Sequence, residues 1–316
     1  LNYIYLDKYD SIILSALKSE EAPDIFFTYP KYENNSNYAE IFSLCEDLSD
    51  EKLGIDLSCI RKGYINRDAQ GRVCSVPIYS TTFGMLVNED IFEKEKITVP
   101  KTYQELLSAC EALQKAGYAS PVMAYNNGSD MLFPMFYPYF CAQVMGNGEA
   151  LEKMNAMPPD AAEYMRSTLE LADDFMKRGY VDLESCNEIK NNYEAVILRF
   201  FEGDVPMMMA SGNTVSGTGK RESKSEAFTA HPFRYSFHPV PSTDQGGYFL
   251  NIVFIGFAVN KNSANLAMAN EFMRFLVSTE ELNRMAKAKR MLQENLKLVD
   301  AVAEIVDARA PEASRN

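Results

Sequence analysis

The residues that most often carry catalytic or metal chemistry are few and scattered in this sequence. The chain has two histidines, His231 and His238, and six cysteines without a Cys-x-x-Cys pair. A zinc site needs several such ligands at close spacing, so this pattern disfavours one. The Gly-x-Ser-x-Gly motif that would accompany a Ser-His triad is also absent. Scattered cysteines are more typical of small buried hydrophobes, and Cys110 is predicted on the apolar side of a helix.

Acidic residues are the remaining candidates for catalysis. The 44 Asp and Glu residues allow many carboxylate pairs, and a glycosidase needs only two that face one cleft. The sequence identifies no such pair. Glu163, Glu170 and Asp173 fall on an amphipathic helix, where a solvated face is expected.

A polar stretch between residues 211 and 231 invites a nucleotide-binding interpretation. It is rich in Ser, Gly, Thr and Lys, which predicts a long surface loop. A phosphate loop would need glycine where Thr214 stands and Ser or Thr where Arg221 stands. Nucleotide binding is therefore not expected there.

One cluster of residues combines neutral hydrogen-bonding groups with aromatic rings. Residues 125–130 read Tyr-Asn-Asn-Gly-Ser-Asp, and residues 136–140 read Phe-Tyr-Pro-Tyr-Phe. Such a mixture could recognise a polyol. Because Asn, Gly and Ser are also ordinary turn residues, a turn followed by a buried edge strand explains the pattern equally well.

Three helices are predicted to position these groups. Thr102 and Glu105 form a capping box for a helix over 102–116, which Gly117 ends. A second helix is predicted from Asp160 to Gly179, and a third from Ser263 to about residue 276.

Short apolar runs of strand length lie between the helices. They cover residues 25–27, 83–87, 205–209 and 252–259. Helices alternating with buried strands predict an α/β fold. The methionines at 207–209 are interpreted as core filler rather than as metal ligands.

Length and composition limit the number of domains and the classes of partner. A chain of 316 residues predicts two domains, and 47% hydrophobic with 24% charged residues is typical of a globular protein. The net charge of −13 disfavours nucleic-acid and anionic-membrane partners. No apolar stretch is long enough to span a membrane, and the alternating residues 1–6 predict a strand rather than an export signal.

Several segments, taken in order, resemble the extracellular solute-binding proteins of bacterial ABC importers, in the maltose-binding protein superfamily (family 1). The resemblance covers most of the chain. The segments that carry it are 9–13, 22–27, 77–92 with Asn88-Glu89-Asp90-Ile91-Phe92, 99–107 with Val99-Pro100-Lys101-Thr102-Tyr103, 200–208 with Phe200-Phe201-Glu202-Gly203-Asp204, and 257–260.

The resemblance implies a two-lobed periplasmic-binding-protein fold of type II, each lobe a sheet flanked by helices, with the ligand cleft between the lobes. The N-terminal lobe is expected at 1–81 and 256–298, and the C-terminal lobe at 84–253 and 299–316. Hinges are expected near 81–84 and 253–256. The family opens with one more strand and helix, so that part of the first lobe and any export signal are expected to lie outside this sequence.

The family's cleft positions imply a set of ligand-binding residues, to which the cluster above contributes three. They are Thr28, Tyr29, Lys31, Tyr79, Ser80, Thr81, Asn126, Asn127, Tyr137, Ser211, Gly212, Asn213, Tyr248 and Asn251. Sugar-binding members often stack a pyranose on Trp, and this chain has none, but 18 Tyr and 19 Phe can supply aromatic faces.

The implied function is capture of a small polar solute by lobe closure and delivery to an ABC permease. Mainly neutral cleft candidates favour a sugar or oligosaccharide. A polyamine or phosphate ester in the same fold, a carbohydrate-active enzyme with a cleft carboxylate pair, and an adhesion module without a small ligand remain alternatives. The resemblance implies a monomer without metal or cofactor, outside the cell as a surface lipoprotein or in the periplasm.

Overall fold

The chain divides into two compact units. The computed structural model describes residues 9–20, 22–28, 36–61, 64–65, 67–68, 70–124, 135–140, 160, 162–188, 193–212, 215, 218–285 and 287. Unit 1 comprises residues 1–81, 251–297 and 303–316, and unit 2 comprises residues 82–250 and 298–302. The lobe bounds and hinges implied by the resemblance stay predictions.

The described part of unit 1 contains helices packed on a sheet, and two of its strands run on into unit 2. These elements are α1 (Tyr9–Leu17), β1 (Ile25–Thr28), α2 (Ser36–Ser43), β2 (Val76–Asn88), β8 (Leu250–Val259) and α11 (Leu266–Leu276). The strand order is β1-β8-β2, and β1 pairs antiparallel to β8 with Phe26 opposite Ala258.

Helices cover both faces of the unit 1 sheet because its side chains alternate. Phe26 and Ala258 pack with Ile13, Leu17 and Ile41 of α1 and α2. The alternate positions, such as Val259, pack with α11 instead, in a second apolar cluster. Successive strand residues point to opposite faces of a sheet, so each face buries its own core.

Unit 2 contains both helices and strands. Its helices are α3 (Glu89–Glu95), α4 (Tyr103–Lys115), α5 (Tyr137–Phe140), α6 (Ala162–Lys177), α7 (Leu183–Glu188), α8 (Tyr193–Phe200), α9 (Thr218–Glu222) and α10 (Glu226–Ala230). Its further strands are β3 (Val122–Met123), β4 (Met207–Ser211), β5 (Tyr235–His238), β6 (Val240–Thr243) and β7 (Gly246–Tyr248).

The sheet of unit 2 has the order β5-β2-β4-β3, and β6 pairs with β7 in a hairpin. Strands β3 and β4 run parallel, with Val122 opposite Met207. Apolar residues of α4, α6 and α8 pack against this sheet in one continuous core. Met207, Met208 and Met209 are buried in it, which confirms their interpretation as core residues.

The three predicted helices are present. In α4 the Thr102 side chain accepts a hydrogen bond from the Glu105 N–H at 3.3 Å, while the Glu105 carboxylate accepts one from the Lys101 N–H at 2.7 Å. The third helix begins at Leu266, later than predicted. Ser263 does not cap it, because its hydroxyl accepts from the Asn265 N–H at 2.9 Å, ahead of the helix, and donates to Asp24 at 2.5 Å.

Two predictions about local structure were wrong. The stretch 211–231 is not a surface loop, because α9 and α10 lie within it and Thr218 and Ser225 are buried. Residues 137–140 form a helical turn rather than an edge strand. Pro138 is tolerated there because the first turn of a helix does not use its N–H groups internally. The strand predicted at 1–6 lies outside the described residues.

Candidate functional site

Of the expected ligand-binding residues, Thr28 is held by contacts within unit 1. It ends β1 and is buried. Its hydroxyl hydrogen-bonds the Ser75 hydroxyl and lies 3.5 Å from the Gly256 carbonyl oxygen. A side chain at 256 would collide with Ser75, so glycine is what lets β8 approach this close.

Three consecutive hydroxyl residues lie in the middle of β2. Ser80, Thr81 and Thr82 are all buried. The Thr81 hydroxyl has no hydrogen-bond partner among the described residues. An unpaired buried hydroxyl costs about 1–3 kcal/mol, so this group is available to a ligand or water that reaches it. Tyr79 lies on the same strand, and its side chain is outside the described part.

Ser211 and Gly212 mark the carboxyl end of β4 in unit 2. Ser211 is half-buried and pairs in register with Phe83 of β2, and Gly212 is buried at the next position. Because β3 runs parallel to β4, the chain that follows β3 leaves at the same edge of the sheet. Ligands of open α/β sheets bind at such carboxyl ends.

The aromatic candidates of unit 2 lie on neighbouring elements. Helix α5, which carries Tyr137, contacts β6, and β6 pairs with β7, which ends at Tyr248. The Tyr137 ring is half-buried, 6.0 Å from that of Phe140. Tyr248 is 43% exposed. Tyr248 therefore offers an accessible aromatic face in unit 2.

Of the remaining candidates, only Asn251 lies within the described residues. Asn251 is half-buried near the start of β8 and belongs to unit 1. Five others lie outside the described residues: Tyr29, Lys31, Asn126, Asn127 and Asn213. Their placement in a binding site stays a prediction.

The acidic side chains of unit 2 that the sequence analysis singled out lie on solvated faces. Glu163 accepts two hydrogen bonds from Arg166, at 2.7 and 2.8 Å. These hydrogen bonds and the Arg166 charge lower the pKa of Glu163. Asp173 pairs with Lys177 in the same way, one turn apart.

Carboxyl pKa shifts run in one direction in the described part of the chain. Each Asp or Glu with a clear shift has a lowered pKa: Asp47, Asp68, Glu111, Glu163, Asp182 and Asp204. The general acid of a glycosidase needs a raised pKa, so these groups are poorly suited to that role.

Metal chemistry finds little support among the described residues. No group of three or more His, Cys, Asp or Glu side chains is placed to hold an ion there. His238 is half-buried in β5, and its Nε2 lies 2.6 Å from the Ser236 hydroxyl. Burial lowers the pKa of His238, which favours the neutral ring.

A pocket of about 410 Å³ in unit 2 was not foreseen from the sequence. Residues 117–120 and 204–205 line it, and they precede β3 and β4. The pocket therefore lies at the amino ends of these strands, opposite Ser211. The Ser120 hydroxyl and an Arg199–Asp204 ion pair, 2.8 Å apart, supply its polar groups. The Asp182-x-x-Ser185 cap of α7, which also lines it, was its one visible sequence signal.

A family model described as bacterial extracellular solute-binding protein matches residues 4–303. The chain belongs to this family. The α/β class predicted from the helices and strands, and the solute-binding-protein fold implied by the resemblance, are thereby confirmed. A search of curated proteins returned no match.

Three solved structures illustrate the likeness in fold. The apo form of RafE from Streptococcus pneumoniae is 17% identical, with a TM-score of 0.63 over 92% of this chain and 72% of that one. The GacH receptor of Streptomyces glaucescens, solved unliganded and with acarbose, is 17% identical, with a TM-score of 0.64 over 98% and 73%. A sugar transporter from Bacillus licheniformis, in complex with stachyose, is 15% identical, with a TM-score of 0.54 over 89% and 70%.

Membrane association through a spanning helix finds no support in the described part of this solute-binding protein. None of the helices described there is both long enough and apolar enough to cross a bilayer.

Proposed function

We propose that this solute-binding protein captures a sugar or short oligosaccharide outside the cell and delivers it to an ABC transporter permease. The observation that carries the proposal is the match of residues 4–303 to the extracellular solute-binding family. Structures of similar fold include RafE with raffinose and a sugar transporter with stachyose, which indicates the ligand class to test first.

The chemistry of the described candidates suits a polyol. Ser80, Thr81 and Ser211 carry hydroxyls, which both donate and accept hydrogen bonds as sugar hydroxyls do. The exposed ring of Tyr248 can cover the apolar C–H face of a pyranose. None of these side chains is charged, so a polyamine or a phosphate ester would find no counter-ion among them.

Thr81 and Tyr248 have the most specific proposed roles. The buried, unpaired hydroxyl of Thr81 would gain a partner when a sugar hydroxyl or a bridging water reaches it. Tyr248 would lose solvent contact on one face. Tyr137, Gly212 and Asn251 are proposed to complete the set, together with Tyr29, Lys31, Tyr79, Asn126, Asn127 and Asn213.

Thr28 is the weakest member of the proposed set. Its hydroxyl already bonds Ser75 within the core of unit 1. A ligand would have to compete with that contact, so Thr28 is proposed to hold the end of β1 in place rather than to supply binding energy.

A thermal-shift panel tests the sugar proposal. The full chain is screened against raffinose, stachyose, acarbose and linear maltose and xylose oligomers, with spermidine, amino acids and glycerol phosphate as the other classes. A ligand at about 100 times its dissociation constant adds about 2.7 kcal/mol of stability, which raises the melting temperature visibly. Stabilisation by spermidine or glycerol phosphate and by no sugar would overturn the choice of ligand while leaving the receptor role intact.

Two variants localise the site. Tyr248→Ala is expected to weaken sugar binding by about tenfold, because one stacking contact is worth about 0.5–1.5 kcal/mol. Leu169→Ala is the matched control, since Leu169 is also an exposed large apolar residue of unit 2 but lies on α6. Equal affinities for both variants would remove Tyr248 from the site.

The predicted closure is tested separately, by small-angle scattering. If ligand binding shifts the population toward a closed form, a saturating sugar reduces the radius of gyration. An unchanged scattering curve with bound ligand would contradict closure but not sugar binding.

A further inference from the structure

Two thiols lie together in the core of unit 1. Cys45 lies two residues after α2 and is 1% exposed, and Cys74 lies two residues before β2 and is 3% exposed. Both belong to the apolar cluster on the α1 and α2 face of the sheet. Their neighbours in that cluster are Ile13, Leu17, Phe26, Ile41 and Ala258.

The two side chains converge on the carboxyl end of α2. The Cys45 Sγ lies 3.3 Å from the Ile41 carbonyl oxygen, and the Cys74 Sγ lies 3.8 Å from that of Phe42. The Cys45 N–H donates to the same Phe42 oxygen at 3.1 Å. Both sulfurs therefore lie at the last turn of α2 within one apolar cluster, and each thiol shifts the pKa of the other.

Two other buried cysteines have different surroundings. Cys59 lies 3.6 Å from the Thr279 hydroxyl, and Cys110 lies in the apolar core of unit 2. Burial alone raises the pKa of Cys110 to about 12. Neither shows a sulfur neighbour of the kind that joins Cys45 to Cys74, so both serve as controls.

The surroundings of the pair give its two members different roles. Arg72 pairs with Asp68 at 2.6 Å and donates to the Phe42 carbonyl oxygen at 3.3 Å, next to the Cys74 thiol. The interaction with Cys45 and the Arg72 charge lower the pKa of Cys74, although burial and the Asp68 carboxylate, which accepts a hydrogen bond from the Cys74 thiol at 3.6 Å, oppose them. The interaction with Cys74 and burial raise the pKa of Cys45. A thiolate forms first on the sulfur with the lower pKa, which is that of Cys74.

We propose that Cys45 and Cys74 form a disulfide when this extracellular protein matures in an oxidising compartment. Disulfides persist outside the cell, and two adjacent buried thiols are suited to one. The bond would close the chain from 45 to 74 and tie the end of α2 to the start of β2.

The oxidant is a small or protein disulfide, and the reaction is thiol–disulfide exchange. The Cys74 thiolate attacks one sulfur of the external disulfide, forming a mixed disulfide and releasing one thiolate. The Cys45 thiol then loses its proton to solvent and attacks the Cys74 sulfur, releasing the second thiolate. One external disulfide is reduced to two thiols, and two protein thiols become one disulfide. Because both thiols are buried, the exchange takes place before unit 1 has packed or when it opens.

Mass spectrometry tests the bond on the full chain. The protein is unfolded and refolded with glutathione disulfide or with dithiothreitol, then unfolded again in excess iodoacetamide and digested with trypsin. Lys52, Arg61, Lys62, Arg67 and Arg72 separate the two cysteines, so a bond joins two peptides. The expected product after glutathione disulfide is a Cys45–Cys74 linked pair, lighter by two hydrogens than the free peptides. Full alkylation of both cysteines, or a link to a different cysteine, would overturn the proposal.

Thermal unfolding supplies a second readout. The oxidised protein is expected to melt roughly 5 °C or more above the reduced one, because closing a chain loop restricts the unfolded state. Cys45→Ala and Cys74→Ala should each abolish this difference, whereas Cys59→Ala should keep it. If a variant fails to fold, the wild-type mass map alone decides the question. An oxidation-dependent shift that survives in Cys74→Ala would contradict the assignment.

Discussion

The two units organise their apolar residues differently. Unit 2 buries one continuous core, which includes the mutually packed rings Phe200, Phe201, Phe228, Phe233 and Tyr235. Unit 1 divides its apolar residues into two smaller clusters, one on each face of its sheet β1-β8-β2. The candidate binding residues follow the same division, since those of unit 1 are mostly buried and Tyr248 of unit 2 is exposed.

This difference suggests that the candidate residues of the two units have different roles. In unit 1 the buried hydroxyl residues Thr28, Ser80 and Thr81 belong to strands β1 and β2. Packing of the core holds the backbone in place at these positions. In unit 2 the half-buried Ser211 ends a strand and Tyr248 presents an exposed ring, so a ligand can meet these two without displacing core contacts. Changes in the core should therefore act unit by unit, and the following variants are chosen to break or sharpen that comparison.

Phe201→Ala should have the largest effect, and it should fall on unit 2. The Phe201 ring is fully buried, and its centroid lies 5.4 Å from those of Phe228 and Tyr235. Removing it should cost about 3–5 kcal/mol of unfolding free energy. Hydrogen exchange should accelerate through unit 2 and stay unchanged through unit 1. Leu169→Ala, at an exposed site of the same unit, should change stability by less than about 0.5 kcal/mol.

Gly256→Ala should act in the opposite unit. The new Cβ would meet the Ser75 hydroxyl and lie 3.0 Å from the Val76 carbonyl oxygen. Such overpacking costs about 1–3 kcal/mol, and exchange should accelerate in β1 and β8. Gly219→Ala is the control and should stabilise the protein. Nothing lies within 4 Å of its added Cβ. Gly219 belongs to α9, where replacing glycine by alanine raises the free energy of unfolding by about 1 kcal/mol. Equal destabilisation by both would contradict the close packing inferred at Gly256.

Two isosteric variants separate structural from binding hydroxyls within unit 1. Thr28→Val removes a hydroxyl that bonds Ser75, and it should cost about 1 kcal/mol in denaturant unfolding. Thr81→Val removes an unpaired one, and the ligand-free protein should be stabilised, by about 1–3 kcal/mol. Sugar titrations should show the reverse order, with Thr81→Val weakening affinity more than Thr28→Val. The same loss of affinity in both would contradict the distinction.

The smallest predicted effect is a pH dependence confined to unit 2. Burial depresses the pKa of His238 below its ordinary value of 6.5, and the nearby Glu89 charge opposes this only weakly. The folded state therefore favours the neutral ring. The buried neutral ring of His238 contributes to the free energy of unfolding. This contribution is complete above the unfolded-state pKa and is lost as the pH falls through the lower folded-state pKa. Both histidines lie in unit 2, so a fall from about pH 7 to pH 5 should lower the protection factors of its amides, calculated against the slower intrinsic exchange at the lower pH.

His238→Gln provides the check on that pH effect. This variant should flatten the part of the unit 2 profile below about pH 6.5 and leave unit 1 as in the wild type. A wild-type slope that persists in the variant would assign the dependence to other groups.

Much of the fold could be predicted because the signals were local. The capping residue Thr102, the apolar stripe of α4 and the stop at Gly117 needed only short-range physics, and the run at 207–209 was long and apolar enough to be placed in the core. The start of α11 was missed because Ser263 is held by Asp24, 239 positions earlier in the chain. Long-range contacts of this kind leave no local trace.

The candidate site was harder to predict for the same reason. The helices within 211–231 form because residues such as Thr218 and Ser225 find buried places in unit 2, which a polar composition does not reveal. The pairing of Cys45 with Cys74 depends on how α2 and the start of β2 meet. The family resemblance, carried by several short segments in order, gave the fold and function that no single motif could indicate.

Isothermal titration calorimetry of the full chain with raffinose, stachyose and linear maltose and xylose oligomers tests the central claim most directly. The account predicts saturable one-to-one binding of at least one of these sugars, about tenfold weaker in Tyr248→Ala and unchanged in Leu169→Ala. Saturable binding of spermidine or glycerol phosphate, with no heat from any sugar, would contradict it.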